Sequence, residues 1–407
     1  MDNKKIRNKI ITLSGEPVSG KGTAVKALIK KLKEQGYTDE QIHLETTGND
    51  FRKYFNSIID LILNLNNKEK LKEIMNKEEL KAFFENEEYR HILSKSIAEL
   101  MKKDVDLSNF SIEQANNSPE FSEIRKVVDT LIDKGMEEKG KKINEKEHPN
   151  EIWLIDSRLA FYNIPEAFSV RLTTNPDVAG ERLFNDKTRG KEDSKYETIE
   201  EAKKEREERR LGENSRYLER YGVDLKDENN YDLIIDTSYA NISDIAEVIL
   251  ECEDYYEKGK KFGKKWASPR NFLPLQGEID TLSMTIKPWD FETIAKSIKE
   301  NGYIPDSYIE TVEVDGNNYI IEGHHRNFAA AYVGKTLVPY VVLAKDDEEL
   351  LTYGGGTARQ RANGITLSKL FGHEEFIENS NPGFSYSKAF PELYKKLQEK
   401  ESKDEQR

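Results

Sequence analysis

The sequence predicts an α/β chain, a three-layer parallel sheet with helices on its faces, followed by a smaller α+β region. Three observations predict it. Residues 9–14 (KIITLS) form a short apolar run that passes into a glycine-rich stretch, GEPVSGKGT at 15–23, and then into a segment with Val25, Leu28, Ile29 and Leu32 at helical spacing. Short apolar runs of the same kind recur at 151–158 (EIWLIDSR), 169–174 (SVRLTT) and 231–238 (YDLIIDTS), with helical segments between them. Beyond residue 272 the pattern changes to strand, helix, hairpin, helix and strand in close succession.

The chain has 407 residues, room for two or three domains. Hydrophobic residues make up 36% and charged residues 34%, and 17 Phe with 19 Tyr argue for real cores over wholesale disorder. The formal net charge of -13 argues against bulk nucleic-acid binding but leaves room for a local basic site. Cys252 is the single cysteine, which excludes a disulfide framework and a cysteine-rich zinc site. The start, MDNKKIRNKIITLSG, has too short an apolar stretch for a signal peptide, and no apolar run is long enough to span a membrane. A cytoplasmic protein is the expectation.

Strand, glycine-rich turn and helix in that order are the setting of a phosphate-binding loop. Gly15 and Gly20 let the backbone curl so that successive N–H groups face an anion at the helix N-terminus, and Lys21 adds a point charge for the outer phosphates. A glycine-rich turn that binds nothing is the alternative. Gly22 stands where many such loops carry a Mg²⁺-binding Ser or Thr, and Thr23 follows it.

The GKGT variant resembles the nucleoside monophosphate kinases of the P-loop NTPase class, and over residues 7–252 the likeness is to cytidylate kinase. The resemblance implies ATP and Mg²⁺ as cofactors, with Gly15, Ser19, Gly20, Lys21, Gly22 and Thr23 on the ATP. TTGNDFR at 46–52 is similar to the family's second loop, where Gly48 permits a tight turn and the planar fork of Arg52 reaches the acceptor phosphate. Taken alone, Arg52 is an ordinary helix-start arginine. The strand at 151–158 resembles the archaeal-type enzyme, with Ser157 in place of a Gly and Arg158 as a candidate for the acceptor nucleotide. Asp156 reads equally as a residue holding Mg²⁺ through water and as a cap for the turn that follows.

Seven arginines fall between 182 and 220. This stretch matches the family's lid, which closes over the donor phosphates and neutralises developing charge. Arg182, Arg189, Arg209 and Arg216 fall nearest the family spacing. The plainer reading is a charged helix laced with i,i+4 pairs. The resemblance fails over residues 54–117, a Lys- and Glu-rich segment in which Ile58, Ile59, Leu61, Ile62, Leu93, Ile97 and Leu100 recur at helical spacing. A helical insert is expected there, on the acceptor side, and it leaves the acceptor's identity open.

Residues 256–271 are basic, lack periodicity and carry Gly and Pro, so they read as a linker; a surface loop within one domain, or a stretch that touches an acidic partner surface, is the alternative. In 272–350, TLSMTIKP suggests a strand, and DFETIAKSIKENGYI a helix capped by Asp290 and stopped at Gly302. A hairpin turned at Asp315-Gly316 follows, then a helix starting at GHHR, then the strand TLVPYVVL. The order, with EGHHR at 322–326, resembles the ParB/sulfiredoxin-like fold, including free-serine kinases, which carry Asp where Glu322 stands. From the residues themselves, Gly323 opens a turn, and His324, His325 and Arg326 set donors beside the helix-start N–H groups. With Glu322 they make a second anion site; a simple helix cap is the plainer reading. Adjacent histidines face different sides, so joint metal ligation is not expected. Six Lys and Arg against fourteen Asp and Glu over 272–350 disfavour DNA binding. Residues 351–407 read as a connector, with a flexible anion-binding loop at 352–364 as the alternative, and a fraying charged helix.

Together these resemblances imply an ATP-dependent phosphotransferase most like a CMP or dCMP kinase, with a small nucleotide or phosphorylated substrate and an appended anion-binding region. Two alternatives stay open. One is a small-molecule hydroxyl kinase working through the EGHHR turn, with the phosphate-loop half regulatory. The other is a non-enzymatic, nucleotide-responsive binding protein.

Overall fold

A computed structural model describes residues 8–77, 80, 85–102, 110–112, 114, 118–146, 148–185, 196–274, 288–314 and 317–344. They divide into two compact units, one drawn from residues 1–14, 38–167 and 186–196, the other from 15–37, 168–185 and 197–407. The expected alternation of strands and helices is present, and the strands are mostly parallel. The chain opens with β1 (Lys9–Gly15) and α1 (Lys21–Glu34).

In the first unit β1 is joined by β2 (Ile42–Thr46) and β3 (Ile152–Asp156), parallel and in the order β2, β3, β1. Register sets Asp156 opposite Leu13 on one side and Thr46 on the other, so the three strands end at one edge. Ile11, Leu13, Leu154 and Ile155 are buried, which is why these strands read as nearly continuous apolar runs. The helices here are α2 (Thr47–Leu63), α3 (Lys68–Met75), α4 (Glu87–Lys102), α5 (Ser122–Glu145) and α6 (Ala160–Asn163).

The charged segment expected as an insert does pack as helices where it is described. Phe55, Ile58, Ile59 and Ile62 of α2 share a core with Leu93 and Leu100 of α4 and Ile124 and Val128 of α5. Each fully buried side chain of this kind contributes roughly 1.5–3 kcal/mol, enough for an apolar stripe to hold an otherwise polar helix. One expectation is corrected here. Gly48 lies in the first turn of α2 without a positive φ, so no tight turn requires it; the helix follows β2 directly.

The second unit contains β4 (Phe168–Thr173), β5 (Leu233–Asp236), β6 (Lys265–Ala267), β7 (Phe272–Pro274), β8 (Ile309–Val314), β9 (Asn317–Glu322) and β10 (Val338–Ala344). Their order is β4, β5, β6, β10, β8, β9, β7. β4, β5 and β6 are parallel, β10 runs antiparallel to β6 and parallel to β8, and β8 with β9 forms the expected hairpin. α1 belongs to this unit with α7 (Pro176–Asn185), α8 (Ile199–Tyr221), α9 (Ile242–Glu257), α10 (Pro288–Asn301) and α11 (His324–Tyr332). Ala24, Val25, Leu28 and Leu32 form the buried face of α1, which packs on α9.

The stretch expected as a linker is part of this fold. α9 runs on to Glu257, and β6 then pairs with β5 and β10, so one run of strands crosses the boundary expected at residue 272. Trp266 is buried there, its indole N–H donating to the Gly263 carbonyl at 2.8 Å. A three-residue strand is too short to display alternation, and its Lys- and Gly-rich flanks dominate the local composition. α10 starts at Pro288, where a fixed φ suits the first helical position, so Asp290 lies inside the first turn and is not the cap. Gly302 does end that helix, with φ 79°. Arg189, the TLSMTI strand, the Asp315-Gly316 turn and residues 351–407 fall outside the described residues. Among the described residues no helix is long and apolar enough to cross a membrane.

One half-buried acid of α9 makes stability pH-dependent. Burial, reinforced by Glu247 and Asp254 against the opposing pull of Lys335, pushes the Glu251 carboxyl up to about 7 from the ordinary 4.5. The folded state therefore holds a proton that the unfolded chain releases. Stability falls as pH rises from about 4.5 to about 7, then levels off. Thermal melts should show Glu251→Gln gaining over the natural protein across that window, with no gain at its acid end. A gain independent of pH would refute this account.

Candidate functional site

Between β1 and α1 the backbone turns within five residues, Glu16 to Gly20, all in the second unit. Gly20 is the N-cap of α1 at φ 79°, in the left-handed region open to glycine. Val18 also sits there, at φ 66°, which for a β-branched residue costs of order 1–3 kcal/mol. The Ser19 N–H donates to the Glu16 carbonyl at 3.2 Å, closing the turn. Gly15 plays a different part from the one expected: its φ is not positive, and what matters is the missing side chain. A Cβ there would lie 2.6 Å from Ser19 Oγ and 2.9 Å from the Leu172 carbonyl oxygen. Gly22 is in the first turn of α1 with open space around it.

This loop has the electrostatics of an anion cradle. No Asp or Glu lies in the first turn of α1, so nothing offsets the positive end of the helix. The stem of Lys21 passes over Gly15, with Cγ 3.1 Å from where a Cβ would stand. Ser19 is 1% exposed, and its hydroxyl has no hydrogen-bond partner among the described residues. Thr23 is exposed on the first turn of α1.

Groups that sequence reasoning passed over hold the loop in shape. Arg206 of α8 is 2% exposed and donates to Glu16 Oε2 at 2.6 Å, with the Pro17 and Thr174 carbonyls at 3.4 and 3.3 Å. Arg171 of β4 reaches the other oxygen of Glu16 at 3.3 Å. Thr237, just past β5, shares its Oγ1 hydroxyl between the Ser19 carbonyl at 3.1 Å and the Thr173 carbonyl at 3.0 Å. The one local signal was an acid, Glu16, in a loop that otherwise attracts anions; its partners lie far along the chain.

The arginines expected in a lid divide. Arg182 is a correction: its guanidinium is committed to the Thr237 carbonyl at 2.6 Å, the Ser238 carbonyl at 3.2 Å and Thr237 Oγ1 at 3.3 Å. Burial draws its pKa below the ordinary arginine value, with Asp236 opposing. It clamps the end of β5, because α7 carries it there directly. Arg209 and Arg216 sit seven residues apart on one face of α8. Arg209 is half exposed and bonds Glu213 at 3.1 Å, and Arg216 lies 5.5 Å from the Tyr217 ring centroid.

In the first unit, Asp156 ends β3 at the edge where β1 and β2 also end, the side on which open α/β sheets bind ligands. Arg158 follows it, half-buried, while Ser14 Oγ meets the carbonyls of Ser157 and Arg158, each at 3.1 Å. Arg52 stands in the second turn of α2, which starts from the same edge.

The EGHHR turn forms as expected from the sequence. Glu322 ends β9, Gly323 takes φ 102°, and α11 begins at His324. A Cβ on Gly323 would meet Ile309 Cδ1 at 2.9 Å and Arg326 Nη2 at 3.2 Å, so the position requires glycine on two counts. Arg326 folds back to donate to Ser307 Oγ at 2.7 Å. His324 is buried and His325 half-buried. Glu322 lies opposite Glu310 in the hairpin, which brings negative charge to the turn. Among the described residues no three His, Cys, Asp or Glu side chains form a group that could hold a metal ion.

Comparison with known proteins gives two partial likenesses. No protein-family model matches the chain. A cytidylate kinase from Methanosphaera stadtmanae is 28% identical over 133 residues, 33% of this chain and 70% of that enzyme. An S-adenosylmethionine-dependent nucleotide dehydratase from Lacinutrix mariniflava is 31% identical over 111 residues, 27% of this chain and 21% of that protein. The chain therefore spans about a fifth of the dehydratase's length. A third of the chain is weakly similar to a nucleotide kinase.

Proposed function

We propose that the chain is an ATP- and Mg²⁺-dependent phosphotransferase acting on a nucleoside monophosphate, CMP or dCMP first among them. The observation that carries this reading is the braced loop that leads into α1, a helix with no acid in its first turn, with Lys21 folded over Gly15. Similarity to a cytidylate kinase supports it. In this reading the N–H groups at the head of α1, from Gly20 through Thr23, and the Lys21 ammonium hold the donor's β- and γ-phosphates. Arg52 and Arg158 orient the acceptor phosphate by bidentate bonds. Arg209 and Arg216 supply lid charge, with Arg189 assigned by spacing alone. Arg182 acts through Thr237 and Ser238, as a brace for the donor site.

An acceptor phosphate is already ionised at neutral pH, so in-line positioning carries most of the rate and no general base is required. Mg²⁺ is usually bound by one or two carboxylates together with substrate phosphates. Asp156 is the carboxylate and Thr23 the hydroxyl assigned to it. Bound there, Mg²⁺ would neutralise charge on the transferring phosphoryl group.

A coupled assay with ATP and CMP, dCMP, UMP or AMP tests the assignment. Turnover with CMP or dCMP is expected. A protein that binds ATP yet phosphorylates none of the four refutes it. In the same assay, transfer to a small hydroxylated acceptor such as free serine would move the chemistry to the EGHHR turn.

A further inference from the structure

Among its contacts, the region after α9 makes a series of side-chain bonds with one short segment of the second unit, residues 236–247. Asn271, following β6, donates from Nδ2 to Asp236 Oδ2 at 2.9 Å. The other oxygen of Asp236 accepts from the Ser238 N–H at 2.8 Å and from its hydroxyl at 2.5 Å. Arg270 lies 4.8 Å above the centroid of the Tyr239 ring. Thr336 receives a bond from the Asn241 N–H at 2.9 Å and donates from Oγ1 to Asp244 at 2.7 Å, and Lys335 pairs with Glu247 at 2.7 Å. The gripped segment includes Thr237, whose hydroxyl holds the Ser19 carbonyl of the phosphate loop.

The orientation of Asn271 follows from its partner. A carboxylate only accepts, so the amide must present Nδ2 to Asp236, and its Oδ1 is left buried with no hydrogen-bond partner among the described residues. Buried acceptors without donors are rare, and this one marks an amide whose place is set by Asp236 and not by its own needs.

We infer that Asn271 is a positioning residue for donor binding: by holding Asp236 it fixes Thr237 against the phosphate loop, so that affinity for ATP depends on the region after α9. The inference rests on the reading of the loop as a nucleotide site. It makes that region a working part of the donor site, and it places a determinant of ATP affinity well outside the stretch that resembles a kinase.

The test uses the full chain and the fluorescent analogue mant-ATP, so no acceptor need be known. Asn271→Ala should weaken mant-ATP binding roughly tenfold, the scale of one hydrogen bond to a charged group, and Asn271→Asp more, since it sets two carboxylates face to face. The swapped pair Asp236→Asn with Asn271→Asp restores donor and acceptor in reverse, and should recover most of the affinity. Thermal melts of each variant separate loss of binding from loss of fold. Unaltered binding in Asn271→Ala overturns the inference, as does a swap that melts like the natural protein yet binds no better than Asn271→Asp. Failure of the natural protein to bind mant-ATP overturns both this and the nucleotide reading.

Discussion

Lys21→Ala is expected to lower kcat/KM for phosphoryl transfer by about 10²–10³, the usual result of removing one fixed charge or donor from a developing phosphoryl oxyanion. Lys21 opens α1, whose N-terminal N–H groups present positive potential with no acid in the first turn. The amides survive the substitution, so ground-state ATP binding should fall less than turnover. The side chain is only half-buried, so a denaturant melt should move by no more than about 1 kcal/mol. Steady-state kinetics beside such melts decide the matter. Undiminished kcat/KM in Lys21→Ala would remove the loop from the donor site.

The second large effect belongs to a residue that touches no substrate in the proposed mechanism. Arg206→Ala should cost about 3–5 kcal/mol in a urea melt, because it leaves the Glu16 carboxylate without its shortest partner in a poorly hydrated place. Arg171 still faces the other oxygen at 3.3 Å, so the lower end of that range is expected. Arg206→Lys should recover only part of the loss: a single ammonium cannot reach Glu16 and the Pro17 and Thr174 carbonyls as a planar fork does. A double-mutant cycle with Glu16→Gln should show coupling of about 0.5–3 kcal/mol. Additive effects would mean that the pair does not hold the loop.

What was legible in the sequence was local. The loop at 15–23 could be read because its glycines, its lysine and the flanking strand and helix are consecutive, and each carries its own conformational or electrostatic signature. Periodicity disclosed α1 and the helices of the charged insert for the same reason: a buried stripe recurs every three or four residues wherever the helix is later packed. The Gly323 turn into α11 was visible on similar grounds. Gly48 and Asp290 were misread although local, since the residues that open a helix are also those that make turns.

By itself, then, the sequence determined the α/β class, most of the elements and the position of the glycine-rich loop at the head of α1. Tertiary structure alone decided which charges meet. Arg206 and Glu16 stand 190 residues apart, Arg182 and Thr237 are 55 apart, and Asn271 and Asp236 are 35 apart. It also decided that Lys265–Ala267 is a strand, because β5 and β10 supply the hydrogen bonds. Propensity and periodicity are properties of neighbours in the chain, whereas the pairing of a buried charge depends on what the fold carries to it.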